Sequence, residues 1–283
     1  MQKFELFDET FDPFRTESYE LSIQVSLNGF SFCVKDLTRN LFIALGDNAF
    51  EHPVAFVDDW NDRVRYILSL YDWIIKPFKK INLCFDSPRY ALIPQKFFDP
   101  QKAKQILSLS HRIEDLEEIR YHSIDNDVIC IFSIPSTLSA NFITVHPKTN
   151  IVSSGSAPLN FHLSKNKIRH TPQLTLAIYN GFATANLSNG EKLMHSGSIK
   201  LVSAEETTYH LVNICNELKI APADVEITQL GTFGTQDNDT TSLLTRFFKL
   251  VKQEDSIKHS HFSYQLSQHK VQYATLFNLS LCV

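Results

Sequence analysis

The chain has 283 residues, 27 Lys and Arg against 31 Asp and Glu, a formal charge of −4, and 43% hydrophobic residues. That charge gives no net field for gripping a phosphate backbone, which excludes a dedicated nucleic-acid binder. The apolar fraction excludes global disorder. There are 8 Gly against 22 Phe, about 3% glycine where about 7% is usual, so few positions let backbone close tightly around a phosphate.

The N-terminal MQKFELFDETFDPF mixes acids with aromatics and lacks the basic-then-apolar layout of a secretory leader. Phe4, Phe7, Phe11 and Phe14 recur every three or four residues, and Pro13 breaks a continuous helix through them. They read as an arm packed on the body, with a partner surface as the alternative. Asp8, Glu9 and Asp12 are read as solvating that arm rather than holding a metal.

Residues 21–45, LSIQVSLNGFSFCVKDLTRNLFIAL, predict three short strands. Asn28-Gly29 predicts a hairpin with a type I′ turn, which needs positive φ at both central residues, and Thr38-Arg39-Asn40 predicts the second turn. VDDWNDRVRYILSLYDWII has helical period, with Asp58 or Asp59 available as N-cap. A strand over Ile81–Phe85 follows. Residues 89–127 read as an insertion with a helix near Pro100–Leu109, and Val128–Ile134 is predicted to resume the sheet. The polar segment from Ser153 to Gln173 places a boundary between a first half, 1–160, and a second, 161–283.

The second half repeats the plan. Residues 174–199, LTLAIYNGFATANLSNGEKLMHSGSI, form another meander, turning at Asn180-Gly181 and at Ser188-Asn189-Gly190. Ser203 and Glu206 make a capping box ahead of a helix, and Val225–Leu230 is the next strand. Gly231 begins a turn, and a helix is expected over Thr240–Val251. The apolar KVQYATLFNLSLCV predicts a buried terminal helix, while Ser154-Gly155-Ser156 and Ser196-Gly197-Ser198 read as turns. Each half is β-β-β-α-β-α, an α/β class with mixed sheets.

The five cysteines form no CxxC pair and four lie in apolar runs, as expected of buried reduced thiols in a cytoplasmic protein. No apolar stretch reaches the length of a membrane span. The densest histidine cluster, His259, His261 and His269, has no carboxylate or cysteine at ligand spacing and reads as solvent-facing. P-loop, GxSxG, HExxH and Rossmann motifs do not occur.

Two meanders, each followed by α-β-α, resemble the actin-like ATPase architecture of duplicated ribonuclease-H-like halves. The whole chain is similar to a family of Bacteroides-type proteins grouped as a domain of unknown function. The segments LSIQVSLNGFSFCVKD, LCFDSPRYALIPQKFFDP, YNGFATANLSNGEKLMHSGS and YATLFNLSLC carry that likeness. It implies an actin-like fold and no assigned activity. In actin-like ATPases each first hairpin supplies a strand Asp for Mg²⁺ and small residues for phosphate. Here neither Leu21–Leu27 nor Leu174–Tyr179 contains a carboxylate, and a Phe follows each of Gly29 and Gly181. Leu230-Gly231-Thr232-Phe233-Gly234 is spaced as GxxG without the family's doublet. Asn28, Gly29, Asn180, Gly181, Gly231 and Gly234 are therefore candidate remnants of cofactor loops, with no catalytic or metal residues. The expected function is a non-catalytic binding or scaffold protein, a pseudoenzyme with a protein partner and no cofactor. ATP with Mg²⁺ is the alternative. A metal-dependent nuclease ranks third, since Gln24 and Ser26 stand where it needs a carboxylate.

Overall fold

The computed structural model of the chain describes residues 3–54, 59–124, 127–166, 171–234, 237–254 and 260–282. It divides into two compact units. The first holds Met1–Ser154, Lys258–His269 and Cys282–Val283; the second holds Gly155–Ile257 and Lys270–Leu281.

The first unit is built on alternation. In β2, Leu21, Ile23 and Val25 are fully buried on one face, while Glu20, Ser22 and Gln24 line the other. Its elements are β1 (Lys3–Phe7), β2 (Tyr19–Ser26), β3 (Gly29–Asp36), β4 (Leu41–Ala49), α1 (Asp59–Ser69), β5 (Lys80–Phe85), β6 (Tyr90–Pro94), α2 (Ala103–Ser108), β7 (Glu117–Ile124), β8 (Val128–Pro135), α3 (Ser136–Val145) and β9 (Asn150–Ser153). The main sheet runs β1-β4-β3-β2-β5-β9. Strands β2, β3 and β4 form the expected antiparallel meander, and β5 and β9 join in parallel. On the apolar face Trp60 of α1 meets the Phe85 ring edge-on at 5.5 Å. Phe7 and Phe11 pack against Trp73, at 6.2 and 5.2 Å between ring centroids. Phe14 instead stays 86% exposed with Lys76 over its ring, so the arm packs through only part of its aromatic series.

The second unit contains α4 (Ser156–Asn166), β10 (Pro172–Ile178), β11 (Phe182–Asn189), β12 (Lys192–Lys200), α5 (Ala204–Glu217), β13 (Glu226–Leu230), α6 (Asp237–Thr245) and β14 (Leu250–Gln253). After it come β15 (His261–Phe262) and α7 (Tyr264–Ser267), which belong to the first unit, and α8 (Ala274–Phe277) in the second. Its sheet runs β12-β11-β10-β13-β14, with β10, β13 and β14 parallel. The strand order β4-β3-β2-β5-β9 recurs here position for position. Leu211 and Cys215 of α5 and Leu244 of α6 cover the apolar face of Leu174, Leu176 and Ile178. Ser203 Oγ accepts from Glu206 N at 3.2 Å, half of the predicted capping box; the Glu206 carboxylate turns to His210 instead.

Several expectations are corrected. Val128–Ile134 does form a strand, β8, but it does not resume the main sheet. It pairs on both sides with β6 and β7 in a separate three-stranded sheet, and β9 resumes the main sheet. The helix expected over Thr240–Val251 ends at Thr245, and Val251 lies in β14, paired with Ile227. The terminal apolar segment is buried but short, with α8 followed by a 3₁₀ turn over Asn278–Leu281. Ser196-Gly197-Ser198 lies inside β12. Ser154 and Gly155 do form a turn, but Ser156 begins α4. All five cysteines are buried, and none is in a disulfide among the described residues. Asp58 and His259 lie outside the described residues.

Candidate functional site

In open α/β sheets, ligands sit beyond the carboxyl ends of the parallel strands. In the first unit that end carries the β2–β3 hairpin. Its loop is Leu27-Asn28, because Gly29 already pairs with Ser26 as the first residue of β3. None of Leu27, Asn28 and Gly29 takes positive φ, so the expected type I′ turn centred on Asn28-Gly29 is replaced by another turn. The glycine has a different cause. A Cβ on Gly29 would stand 2.4 Å from Asn48 O and 3.0 Å from Ala49 Cα, because β4 crosses at that distance. The tip is also closed by hydrogen bonds. Asn28 N donates to Ser26 Oγ at 3.2 Å, while Phe50 N and Val54 N donate to Asn28 O and Leu27 O, each at 2.8 Å. Phe30 is buried against Phe50 and Tyr66.

The β10–β11 hairpin turns at Asn180-Gly181. Gly181 has φ +82°, whereas Asn180 is not in the left-handed region, so this turn too departs from type I′ and has the glycine requirement of type II. Tyr179 and Phe182 flank it as a buried stack, 4.8 Å between centroids and 8° between planes. Leu201 N donates to Gly181 O at 3.0 Å.

The Gly231–Gly234 loop follows β13, beside the end of β10, and both glycines have positive φ. A Cβ on Gly231 would come within 3.2 Å of Ile178 O. Asp237, the first residue of α6, holds this loop. Its carboxylate accepts from Phe233 N at 3.1 Å, Gln229 Nε2 at 2.9 Å and Gln253 Nε2 at 2.8 Å. A carboxylate in that position repels a phosphate. Of the six candidates, Asn180, Gly181, Gly231 and Gly234 thus share one end of the second unit's sheet, and Asn28 and Gly29 lie in the first unit.

Contrary to expectation, the first strand does hold a carboxylate, because β2 begins at Tyr19 and includes Glu20. That side chain is buried, accepts from Asn82 Nδ2 at 2.8 Å and lies 3.7 Å from Lys80 Nζ. Burial raises its pKa. It sits at the opposite end of β2 from the hairpin, about 20 Å away at strand rise.

One polar group was not anticipated. Asp86, directly after β5, accepts from Gln24 Nε2 at 3.0 Å through Oδ2, and its own N donates to Val25 O at 2.8 Å. Asp86 Oδ1 and Gln24 Oε1 are buried and accept nothing among the described residues. Burial pushes the Asp86 carboxyl up to about 7. Beside it, buried Ser154 donates to Ser87 O at 2.6 Å. Its sequence signal was the polar CFDS end of a buried run, a carboxylate at the carboxyl end of a strand. Among the described residues no group of three or more His, Cys, Asp and Glu could hold a metal ion.

The strand order and the two meanders are those of an actin-like ATPase fold. A protein of that fold and unknown function from Bacteroides thetaiotaomicron superimposes with a TM-score of 0.77 at 17% identity, over 97% of this chain and 99% of that one. The PilM–PilN type IV pilus biogenesis complex contains a similar chain, with a TM-score of 0.58 at 12% identity over 95% and 98%. The ethanolamine utilization protein EutJ from Carboxydothermus hydrogenoformans matches at 0.50, with 7% identity over 93% and 89%. No curated protein matches the chain. Residues 8–251 match the model of the family described as "Protein of unknown function (DUF3822)", and the chain belongs to that family. No helix among the described residues is long and apolar enough to cross a membrane.

Proposed function

We propose that this is a non-catalytic binding or scaffold protein that uses the actin-like fold to hold a protein partner, without a nucleotide cofactor. One observation carries the reading. At the first hairpin, where the fold's ATPases admit phosphate, the Asn28 N–H is already donated to Ser26 Oγ and the Gly29 backbone is locked against β4. Phosphate binding needs free, converging N–H donors. The Asp237 carboxylate under the Gly231 loop supports the same reading for the second unit. A protein of similar fold occurs in the PilM–PilN complex, which makes a protein partner a reasonable role for such a fold. The same pattern supports the division into two ribonuclease-H-like lobes descended from one duplicated unit, and five buried cysteines outside any disulfide support a cytoplasmic setting.

A second reading rests on Asp86. A buried carboxyl near neutrality at a strand's carboxyl end is the kind of group an acid–base site uses, so a nucleotide-dependent activity through non-standard residues is the alternative. Thermal unfolding with and without millimolar Mg-ATP, Mg-ADP and Mg-GTP decides between them. The scaffold reading expects no shift. A nucleotide at a hundredfold excess over its Kd would add about 2.7 kcal/mol, and a rise of several degrees would overturn the proposal.

A further inference from the structure

Backbone N–H and C=O groups stay unpaired at sheet edges, and proteins blunt such edges with lysines, prolines, bulges or short length. Among the described residues most edges here are blunted. β9 and β14 have four residues each, and β6 ends in Pro94. β12 starts and stops at Lys192 and Lys200, and its ladder slips beside Leu187 and Ser188. β1, the other end of the main sheet, has five residues and starts at Lys3; β7 is the long edge without such a device. Its eight residues pair with β8 without a register shift, contain neither Lys nor Pro, and have no strand on their outer side among the described residues.

The charges of β7 are already neutralised. Glu117 pairs with Arg89 and Glu118 with Arg120, and Arg120 Nη2 also donates to Ser139 Oγ at 3.0 Å. Every second residue of an edge strand still turns its N–H and C=O outward. Tyr121, in the middle of the strand, is 47% exposed and has its ring 4.7 Å from that of Phe98.

The residue leading into this edge is strained. Leu116 has φ +64°, a conformation leucine rarely adopts, yet its side chain is 60% exposed. Ser136 holds it there, donating to Leu116 O from N at 2.9 Å and from Oγ at 2.7 Å. Strain over-determined by neighbours marks positions shaped for a task. An apolar side chain held out into water is well placed to be an anchor. Asp115, beside it, is exposed and makes no ion pair among the described residues.

We propose that the outer edge of β7 takes an extended peptide segment of a protein partner as an added strand. The peptide places alternate apolar side chains beside Tyr121 and toward Leu116, and a basic residue near Asp115. Main-chain hydrogen bonds give the affinity and the flanking side chains the selectivity. The inference rests on the binding-protein reading and names the partner's chemistry.

The full chain is screened against displayed short linear peptides, and a selected peptide is titrated with amide exchange followed along the chain. The expected peptides alternate apolar residues and carry a Lys or Arg, and their binding slows exchange across 117–124 several-fold. Tyr121→Lys and Leu116→Gly should each weaken binding about tenfold with the thermal midpoint held, since glycine accepts the φ of position 116. Failure to select any peptide, protection confined to another element, or variants with unchanged affinity would each overturn the assignment. A concentration-dependent dimer broken by the same variants would overturn it too, giving the edge to a second copy. Protection elsewhere leaves the binding-protein reading intact, whereas a nucleotide-induced midpoint rise removes that reading itself.

Discussion

Gln24 Nε2 donates to Asp86 Oδ2 at 3.0 Å, tying the carboxyl ends of two parallel strands, β2 and β5, through a group whose other oxygen is buried and has no partner among the described residues. The amide and the carboxyl are 62 residues apart, and only the parallel register Val25↔Phe85 brings them together. The bond favours the charged carboxylate, but burial outweighs it.

This pair makes stability depend on pH. With the folded pKa near 7 and an ordinary value of 3.8, the folded state keeps a proton through a range where the unfolded chain has lost it. The contribution is therefore complete below about pH 4 and is lost as pH rises through 7, at about 1.4 kcal/mol at most for each tenfold difference in proton affinity between the folded and unfolded chains. Asp86→Asn cannot ionise. Its urea midpoint should match that of the natural chain near pH 4 and exceed it at pH 8; parallel pH profiles would show that Asp86 titrates normally.

Gly29 and Gly181 should respond differently to alanine. At Gly29 the added Cβ meets backbone that cannot yield, so Gly29→Ala should cost about 2 kcal/mol or more. At Gly181 no atom lies within 4 Å of the Cβ, and the cost comes from φ +82° alone, about 1 kcal/mol. Denaturant unfolding of both variants tests the order. A neutral Gly29→Ala would mean that β4 is free to move away.

Asp237→Ala removes the acceptor of three donors, one of them on fully buried Gln229. A loss of about 1–3 kcal/mol is expected from a buried donor left unpaired. Asp237→Asn, which keeps one carbonyl oxygen, should lose less. Equal losses in the two variants would show that the charge matters more than the acceptor geometry.

Local rules made much of the fold legible. Strict alternation in LSIQVS and LTLAI, together with Asn-Gly between apolar runs, announced both hairpins, because strand burial has period two. The helices after each meander were legible from their apolar spacing. What failed did so where pairing is non-local. VICIFSI reads as a core strand equally well in either sheet, and nothing within it specifies that β6 and β7 flank it. Val251 appeared helical because a short apolar strand has no period long enough to separate it from a helix. Asn28-Gly29 named the hairpin correctly and misplaced its turn, since the glycine answers to β4, at the far end of the meander.

The sequence by itself determined the two meanders, the helix and strand that follow each, and the burial of the cysteines, because these follow from side-chain period and turn chemistry over a few residues. Only the tertiary structure decided that Asn28 N–H is already spent on Ser26, that Asp237 sits against the Gly231 loop, that burial raises the pKa of Asp86 to about 7, and that β7 stands at the edge of its sheet among the described residues. Each of these depends on which distant segments the sheet register brings within a few ångströms, and register belongs to the whole sheet rather than to any one stretch of chain.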